Sequence, residues 1–268
     1  MSKQLSYFVH KPETNSDRGL IVRKILARVG LALIALLAVL IVVFMVWALT
    51  PSMARQAALD ALKSDAAVSV GYDGRDIVFK PTAAEPSIGL IFYPGGHVDY
   101  RAYSPILHRI AADGILVVLV PVRLNLAFFD IDAGAKALKR YPNISVWATG
   151  GHSLGGVASA LFAARHPDIK AAVFWASYPP DSRFRNTNIK VLSIYGTLDG
   201  GLDHGATIEK YKAYEPVGST FVVIDGGNHG QFADYGPQPG DNPATIAAPD
   251  QWDQTSAATV AFLKTLGG

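Results

Sequence analysis

Three segments of the sequence carry side chains that together could form a covalent catalyst. Ser153 lies in the pattern Gly-x-Ser-x-Gly at residues 151–155, and Asp199 and His229 each follow an apolar run further along the chain. A serine hydroxyl becomes a good nucleophile when a histidine removes its proton and a carboxylate holds that histidine. The sequence therefore predicts a triad with Ser153 as nucleophile, His229 as general base and Asp199 as the orienting acid.

The surroundings of Ser153 favour a sharp turn between a strand and a helix. An apolar and β-branched run precedes the motif, and an apolar, helix-forming stretch begins at Leu154. A hydroxyl on such a turn is exposed above the sheet beside a helix N-terminus, and glycines at 151 and 155 permit the close backbone approach. The alternative is a glycine-rich packing turn in which Ser153 only caps the helix.

From residue 68 onward, short apolar runs alternate with helical stretches, which indicates an α/β fold with a mainly parallel sheet flanked by helices on both faces. The predicted strands are 68–70, 76–80, 88–93, 115–120, 144–149, 171–176, 190–195 and 220–225. The predicted helices are 104–112, 131–140, 154 to just before Pro167, 206–214 and 252–266.

The order serine, aspartate, histidine, each just past a different parallel strand, resembles the α/β-hydrolase superfamily. The resemblance covers about residues 68–268 and is closest to the small dienelactone-hydrolase-like group. Dienelactone hydrolases use a cysteine nucleophile, and this chain contains no cysteine. Their substrate is therefore not implied for this protein.

The resemblance also implies an oxyanion loop and an open site. Residues 93–97 (Tyr-Pro-Gly-Gly-His) look like the glycine-rich loop of the superfamily, so the hole would use the backbone N–H of Leu154 and one from Gly96 or His97. A simple turn is the other interpretation of this loop. Only about a dozen residues separate the strands at 171 and 190, so no large cap domain is expected. The chemistry requires no cofactor.

Several side chains near the predicted strand ends are candidates for substrate contacts: His97, Tyr100, Phe128, Phe129 and Phe232. Phe128 and Phe129 fit either an acyl pocket or the protein core.

Competing assignments exist for the polar residues. Asp203 is the alternative acid of the triad, and Asp199, Asp203 and His204 form a short run that lacks a recognised metal-ligand spacing, so no metal is expected. His152 is expected to pack away from the hydroxyl of its neighbour. The absence of cysteine excludes disulfides, cysteine-ligated zinc and iron–sulfur clusters.

A long apolar segment precedes this domain. Residues 29–49 contain no charge and would span roughly 31 Å as a helix, which matches a hydrocarbon core of about 30 Å. A buried core helix and a cleaved signal peptide are the alternatives. The sequence favours an uncleaved signal anchor over residues 25–50, with a tail at 1–24, a helical stalk at 51–67 and the catalytic domain at 68–268.

Charge gives the anchor an orientation. Residues 1–28 carry six basic and two acidic side chains, whereas the whole chain has a net charge of +2, which leaves −2 for residues 29–268. The positive-inside rule then predicts a cytoplasmic N-terminus and an extracytoplasmic catalytic domain. A domain with this balance has no basic face for nucleic acid.

These features together predict a membrane-anchored serine hydrolase that cleaves small carboxylic esters through an acyl-enzyme. An acyltransferase using the same triad is the first alternative, and a non-catalytic membrane-tethered binding protein is the second.

Overall fold

The computed structural model describes residues 15–201 and 206–267. It divides into two compact units, one ending at Trp47 and the other beginning at Ala48. The first unit is the main part of helix α1 (Asn15–Leu49). Among the described residues, one helix is long and apolar enough to cross a membrane, Val22–Leu49, with a mean hydropathy of 3.3. The predicted apolar N-terminal helix is confirmed.

The second unit is built on an eight-stranded sheet with the order β1-β2-β4-β3-β5-β6-β7-β8. Strand β2 pairs antiparallel with both β1 and β4. The remaining pairs, from β4 across the sheet to β8, are all parallel. This confirms the predicted mainly parallel sheet. The strands are β1 (Val68–Asp73), β2 (Asp76–Pro81), β3 (Ile88–Tyr93), β4 (Leu116–Leu119), β5 (Val146–His152), β6 (Ile169–Trp175), β7 (Lys190–Gly196) and β8 (Thr220–Ile224).

Helices cover both faces of the sheet, as predicted. One core lies under α3 and α7 and the other under α4 and α5, and each contains the apolar side chains of one sheet face. The helices of this unit are α2 (Gln56–Asp60), α3 (Ser104–Ala112), α4 (Ala135–Arg140), α5 (Leu154–Arg165), α6 (Ala206–Tyr211) and α7 (Ala248–Lys264).

Several boundaries differ from the sequence-based prediction, and three of these differences have local reasons. Strand β5 continues to His152 because Gly150 and Gly151 pair with β6 although they lack apolar side chains. Helix α7 begins at Ala248, four residues early, with proline in its first turn, where a missing N–H costs nothing. The predicted helix 131–140 begins as a 3₁₀ turn because Asp132 leaves helical geometry.

The segment that follows the apolar helix differs from the expected helical stalk. Helix forms only at Gln56–Asp60, and the segment is joined to the catalytic unit by hydrogen bonds. Ser52 forms an isolated bridge with Val98, and the backbone N–H of Arg55 donates to the carbonyl of Asp234 at 2.8 Å. Ala58 is fully buried. Residues 51–60 are therefore part of the compact unit.

Candidate active site

Ser153 occupies a strained turn between β5 and α5. Its φ of 51° and ψ of −122° lie outside helical and strand geometry. A Cβ on Gly151 would lie 2.4 Å from the backbone of Gly155, and one on Gly155 would lie 2.3 Å from the carbonyl oxygen of Pro94. Glycine is thus required at both ends of the motif, and the predicted elbow geometry is present.

Backbone strain is concentrated at the edge of the sheet where the parallel strands end. Five described non-glycine residues have positive φ, and each follows one of the strands β3 to β6. Left-handed conformations of this kind are costly and are retained mainly at functional sites. Four of these residues lie outside the Gly-x-Ser-x-Gly motif, so the strain favours a functional site at this edge on grounds beyond the motif itself. The five residues are His97, Leu124, Asn125, Ser153 and Ala176.

His229 and Asp199 form a buried pair at the same edge. His229 Nδ1 lies 3.0 Å from Asp199 Oδ1 and 3.1 Å from Oδ2, and the two side chains are 2% and 0% exposed. A carboxylate bound to Nδ1 fixes the tautomer and leaves Nε2 free to accept a proton. No direct hydrogen bond joins Ser153 Oγ to His229 within the described part of the chain; catalytic hydrogen bonds often close only when substrate binds.

Two residues of the alternative assignments, the alternative triad acid and the histidine of the run considered for metal binding, fall in a gap of the described chain. Asp203 and His204 lie outside the described residues. Within the described ranges, no group of three or more histidine, aspartate and glutamate side chains is arranged to hold a metal ion.

The glycine-rich loop after β3 packs against the turn at Ser153, and one of its backbone N–H groups makes no hydrogen bond within the described residues. The N–H of Gly95 donates to Tyr103 Oη at 2.8 Å, and the N–H of His97 donates to the carbonyl of Asn125 at 2.8 Å. The N–H of Gly96 has no acceptor among the described residues, nor has that of Leu154 at the start of α5. Of the two predicted donors, the N–H of His97 is thus bonded to Asn125, whereas that of Gly96 is not bonded within the described residues, so Gly96 remains the preferred prediction.

His152 packs behind the predicted base. Its Nδ1 lies 2.8 Å from Tyr103 Oη, and its ring centroid lies 4.5 Å from that of His229. Burial holds the pKa of His152 well below the usual value for histidine, with a smaller contribution from His229, so this ring is neutral. The side chain packs, as the sequence suggested, and it also connects Tyr103 to His229.

Sequence reasoning missed two residues that hold the histidine loop. Asp241 accepts the N–H of Gly200 at 2.9 Å and the N–H of Gly230 at 2.7 Å, so it joins the acid loop to the histidine loop. Gln251 is fully buried and exchanges two hydrogen bonds with the backbone of Asn228. Neither residue lies in a recognisable motif, and only their position in the fold identifies them.

The predicted substrate contacts occupy different environments. Phe232 is fully buried and packs beside His152, with ring centroids 5.7 Å apart. Phe128 and Phe129 are 48% and 53% exposed, which excludes the alternative that they are core. Tyr100 is half-buried and donates its hydroxyl to the carbonyl of Arg75, while His97 is half-buried in the glycine-rich loop.

Comparison with known proteins agrees with this geometry. The sequence model of the alpha/beta hydrolase family matches residues 89–253, more than half of the chain. The chain belongs to the alpha/beta hydrolase family. The crystal structure of a mutant of the esterase rPPE is similar, with a TM-score of 0.51, 15% identity, and coverage of 77% of this chain and 87% of that one. At that identity the likeness shows the fold.

Membership of the alpha/beta hydrolase family confirms the fold and the family expected from the motif order, and it agrees with a hydrolytic enzyme. No curated protein sequence matches the chain. The roles of individual residues therefore depend on the geometry above.

Proposed function

We propose that the protein is a membrane-anchored serine hydrolase that cleaves carboxylic esters through Ser153, His229 and Asp199. The observation that carries the proposal is the buried pair of His229 and Asp199, at the sheet edge where Ser153 occupies its strained elbow. A neutral imidazole with a carboxylate on Nδ1 is the general base that a serine hydroxyl requires.

In the first half of the reaction, Ser153 Oγ bonds to the ester carbon and its proton moves to His229 Nε2. The carbonyl oxygen becomes an oxyanion that accepts hydrogen bonds from the N–H groups of Gly96 and Leu154. When the tetrahedral intermediate collapses, the bond to the alcohol oxygen breaks, and the alcohol leaves with the proton from Nε2.

In the second half, water gives a proton to His229 Nε2 and its oxygen attacks the acyl carbon. Collapse of this intermediate breaks the bond to Ser153 Oγ, which recovers the proton, and the carboxylic acid is released. Asp199 remains ionised throughout and stabilises the imidazolium that forms twice.

Anchoring is supported by the helix Val22–Leu49 and by the charges that precede it. Its apolar side chains are exposed in the protein, as a lipid-facing helix requires. The basic residues at the N-terminal side support a cytoplasmic N-terminus and an extracytoplasmic catalytic domain. Protease protection in sealed inverted vesicles tests this orientation, since a degraded catalytic domain contradicts it.

Hydrolysis of a p-nitrophenyl ester series by the full-length protein in detergent tests the activity. We expect turnover by the wild type and a loss of at least about a thousandfold in Ser153→Ala. Ser145→Ala is a matched control, because Ser145 is exposed and its hydroxyl donates to the carbonyl of Ser87, at the opposite end of β5 from Ser153. Wild-type activity in Ser153→Ala contradicts the proposal. Added alcohols that divert most of the acyl group to a new ester would instead indicate an acyltransferase.

A further inference from the structure

The last residues of the apolar helix are hydrogen-bonded to the loop that carries the oxyanion donors. Asn125 Nδ2 donates to the carbonyl of Ala48 at 2.9 Å, and the carbonyl of Asn125 accepts the N–H of His97 at 2.8 Å. Asn125 holds a left-handed φ of 53°, and His97 one of 58°. A single strained residue therefore contacts both the end of the helix and the glycine-rich loop.

Ser52 makes a second connection three residues after the helix ends. Its N–H donates to the carbonyl of His97, and its carbonyl accepts the N–H of Asp99, both at 2.9 Å. Three residues span at most about 11 Å. The part of the glycine-rich loop that Ser52 contacts therefore lies within roughly that distance of Leu49.

The surface around Leu49 combines exposed apolar side chains with exposed arginines. We call this set the collar: Leu49, Met53, Tyr72 and Phe129, with Arg75 and Arg123. Large apolar side chains interleaved with arginine are typical of protein surfaces in the headgroup region of a bilayer. A contiguous exposed apolar patch is unfavourable in water and usually marks a surface that binds a membrane or another molecule.

Two clefts adjoin the collar and share Leu49, Arg75, Val122 and Asn125. One has a volume of about 530 Å³ and includes Phe129. The other, of about 400 Å³, extends to Pro94 and Tyr100 beside the glycine-rich loop. Clefts of this size are in the range that holds small amphiphilic ligands.

We propose that the collar lies in the headgroup region of the bilayer, and that the substrate is an amphiphilic long-chain ester taken from the membrane that holds the enzyme. This inference rests on the proposed anchored ester hydrolase. It follows because Asn125 hydrogen-bonds both the end of the helix and the glycine-rich loop, and Ser52 bonds that loop directly after the helix ends. The short connection from Leu49 therefore keeps that loop near the bilayer surface.

The position of the collar can be measured directly, because the chain contains no cysteine. Phe129→Cys is labelled with the fluorophore NBD in full-length protein, reconstituted into vesicles of dioleoylphosphatidylcholine with one part in five of phosphatidylglycerol. Val217→Cys is the matched control, since Val217 is 88% exposed and precedes β8 at the opposite edge of the sheet. Leu37→Cys, inside the span, reports insertion of the helix.

We expect brominated phosphatidylcholine to quench the labels at positions 37 and 129 and to leave the label at 217 unchanged. If the label at position 37 is quenched but the labels at 129 and 217 both emit as they do in water, the inference is wrong while the membrane anchor is supported. An unquenched label at 37 overturns both the anchor and the inference.

The source of the substrate is tested with a fluorogenic diacyl ester whose two long chains keep it in its own vesicle. The enzyme is reconstituted either in the vesicles that hold this ester or in separate vesicles mixed with them. We expect turnover at least about tenfold faster in shared vesicles, because confinement raises the effective concentration. Water-soluble p-nitrophenyl acetate, added to both samples, reports whether the enzyme is active.

Equal rates in shared and separate vesicles overturn the membrane substrate, as does hydrolysis of the acetate without any hydrolysis of the diacyl ester. If neither ester is hydrolysed, the proposed hydrolase activity itself is wrong, and the inference fails with it.

Discussion

The imidazole rings of His152 and His229 pack against each other with their centroids 4.5 Å apart. His229 must become positively charged in each half of the proposed reaction, so a charged neighbour would oppose the step. Burial keeps His152 neutral, and its Nδ1 lies in hydrogen-bond contact with Tyr103 Oη at 2.8 Å. The residue before Ser153 is thus an uncharged neighbour of the proposed general base.

Replacement of Tyr103 by phenylalanine should slow the chemical step. The change removes the acceptor of the buried Gly95 N–H and the hydrogen-bond partner of His152 Nδ1, and an unpaired buried group costs about 1–3 kcal/mol. We expect kcat to fall about tenfold with little change in KM, because the oxyanion loop and His229 lose support while the substrate cleft remains. Steady-state kinetics on a p-nitrophenyl ester measures this.

Tyr93→Phe is the matched control for this variant. The Tyr93 hydroxyl also accepts a backbone N–H, that of Gly134, and donates to the carbonyl of Ile131, but it lies in the opposite core. Tyr93→Phe should therefore lose a similar amount of stability without loss of kcat. Equal kcat losses in the two variants would show that Tyr103 acts through stability alone.

Asp241→Ala should lower activity by separating the acid loop from the histidine loop. The carboxylate holds the N–H groups of Gly200 and Gly230, and both would be left without it. We expect kcat/KM to fall by roughly tenfold to a hundredfold, since small displacements of a catalytic base are costly. The pH–rate profile should also change, because His229 and Asp199 lie in the two loops.

Asp253→Ala provides the comparison for Asp241. Asp253 pairs with Arg109 at the surface, and exposed pairs contribute only about 0–1 kcal/mol. This variant should match the wild type in rate and pH profile. If Asp241→Ala also showed the wild-type rate and pH–rate profile, the proposal that Asp241 positions His229 and Asp199 would be wrong.

Glu215 should make stability depend on pH. Burial raises the pKa of Glu215 to about 8, although Ser193, Ser219 and Lys212 partly oppose the shift. Between the unfolded value of about 4.3 and this value, the folded state keeps a proton that the unfolded state releases, so stability falls as pH rises through that window. Glu215→Gln cannot ionise and should not show this fall.

Thermal unfolding of both proteins at pH values of about 5 and about 9 measures the difference. The difference in melting temperature, Glu215→Gln minus wild type, should be clearly larger at the alkaline pH than at the acidic pH. A constant offset between the two curves would contradict ionisation of a buried Glu215.

Gly155→Ala should abolish the elbow. A Cβ there would lie 2.3 Å from the carbonyl oxygens of Tyr93 and Pro94, which are backbone atoms that cannot rotate away. We expect loss of folded protein or displacement of the oxyanion loop with activity lowered at least about a hundredfold. Gly71→Ala, where a Cβ meets nothing within 4 Å, should behave as the wild type in melting temperature and rate. Normal activity of Gly155→Ala would contradict the close approach.

The strands and most helices were predictable because their apolar patterns follow the period of each element. Strand β3 and helix α3 begin and end where the sequence predicts. The family was predictable too, since the motif order determines which strand ends carry Ser153, Asp199 and His229. Local patterns contain this information without any long-range contact.

Long-range contacts could not be predicted in this way. Asp241 acts through backbone N–H groups that any residue type carries, so no side-chain pattern identifies its partners. The docking of residues 51–60 depends in the same way on backbone hydrogen bonds of Ser52 and Arg55. Their alanine-rich composition suggested a helix, and packing against the catalytic unit overrode that preference.

Reaction of the full-length protein with a fluorophosphonate probe tests the central claim most directly. The probe phosphonylates a serine only where a base activates it and an oxyanion hole receives the phosphonyl oxygen. Peptide mass spectrometry should locate a single adduct on Ser153, and Ser153→Ala should remain unlabelled under the same conditions. An unlabelled wild type, or equal labelling of the wild type and Ser153→Ala, would contradict the assignment of Ser153 as the nucleophile.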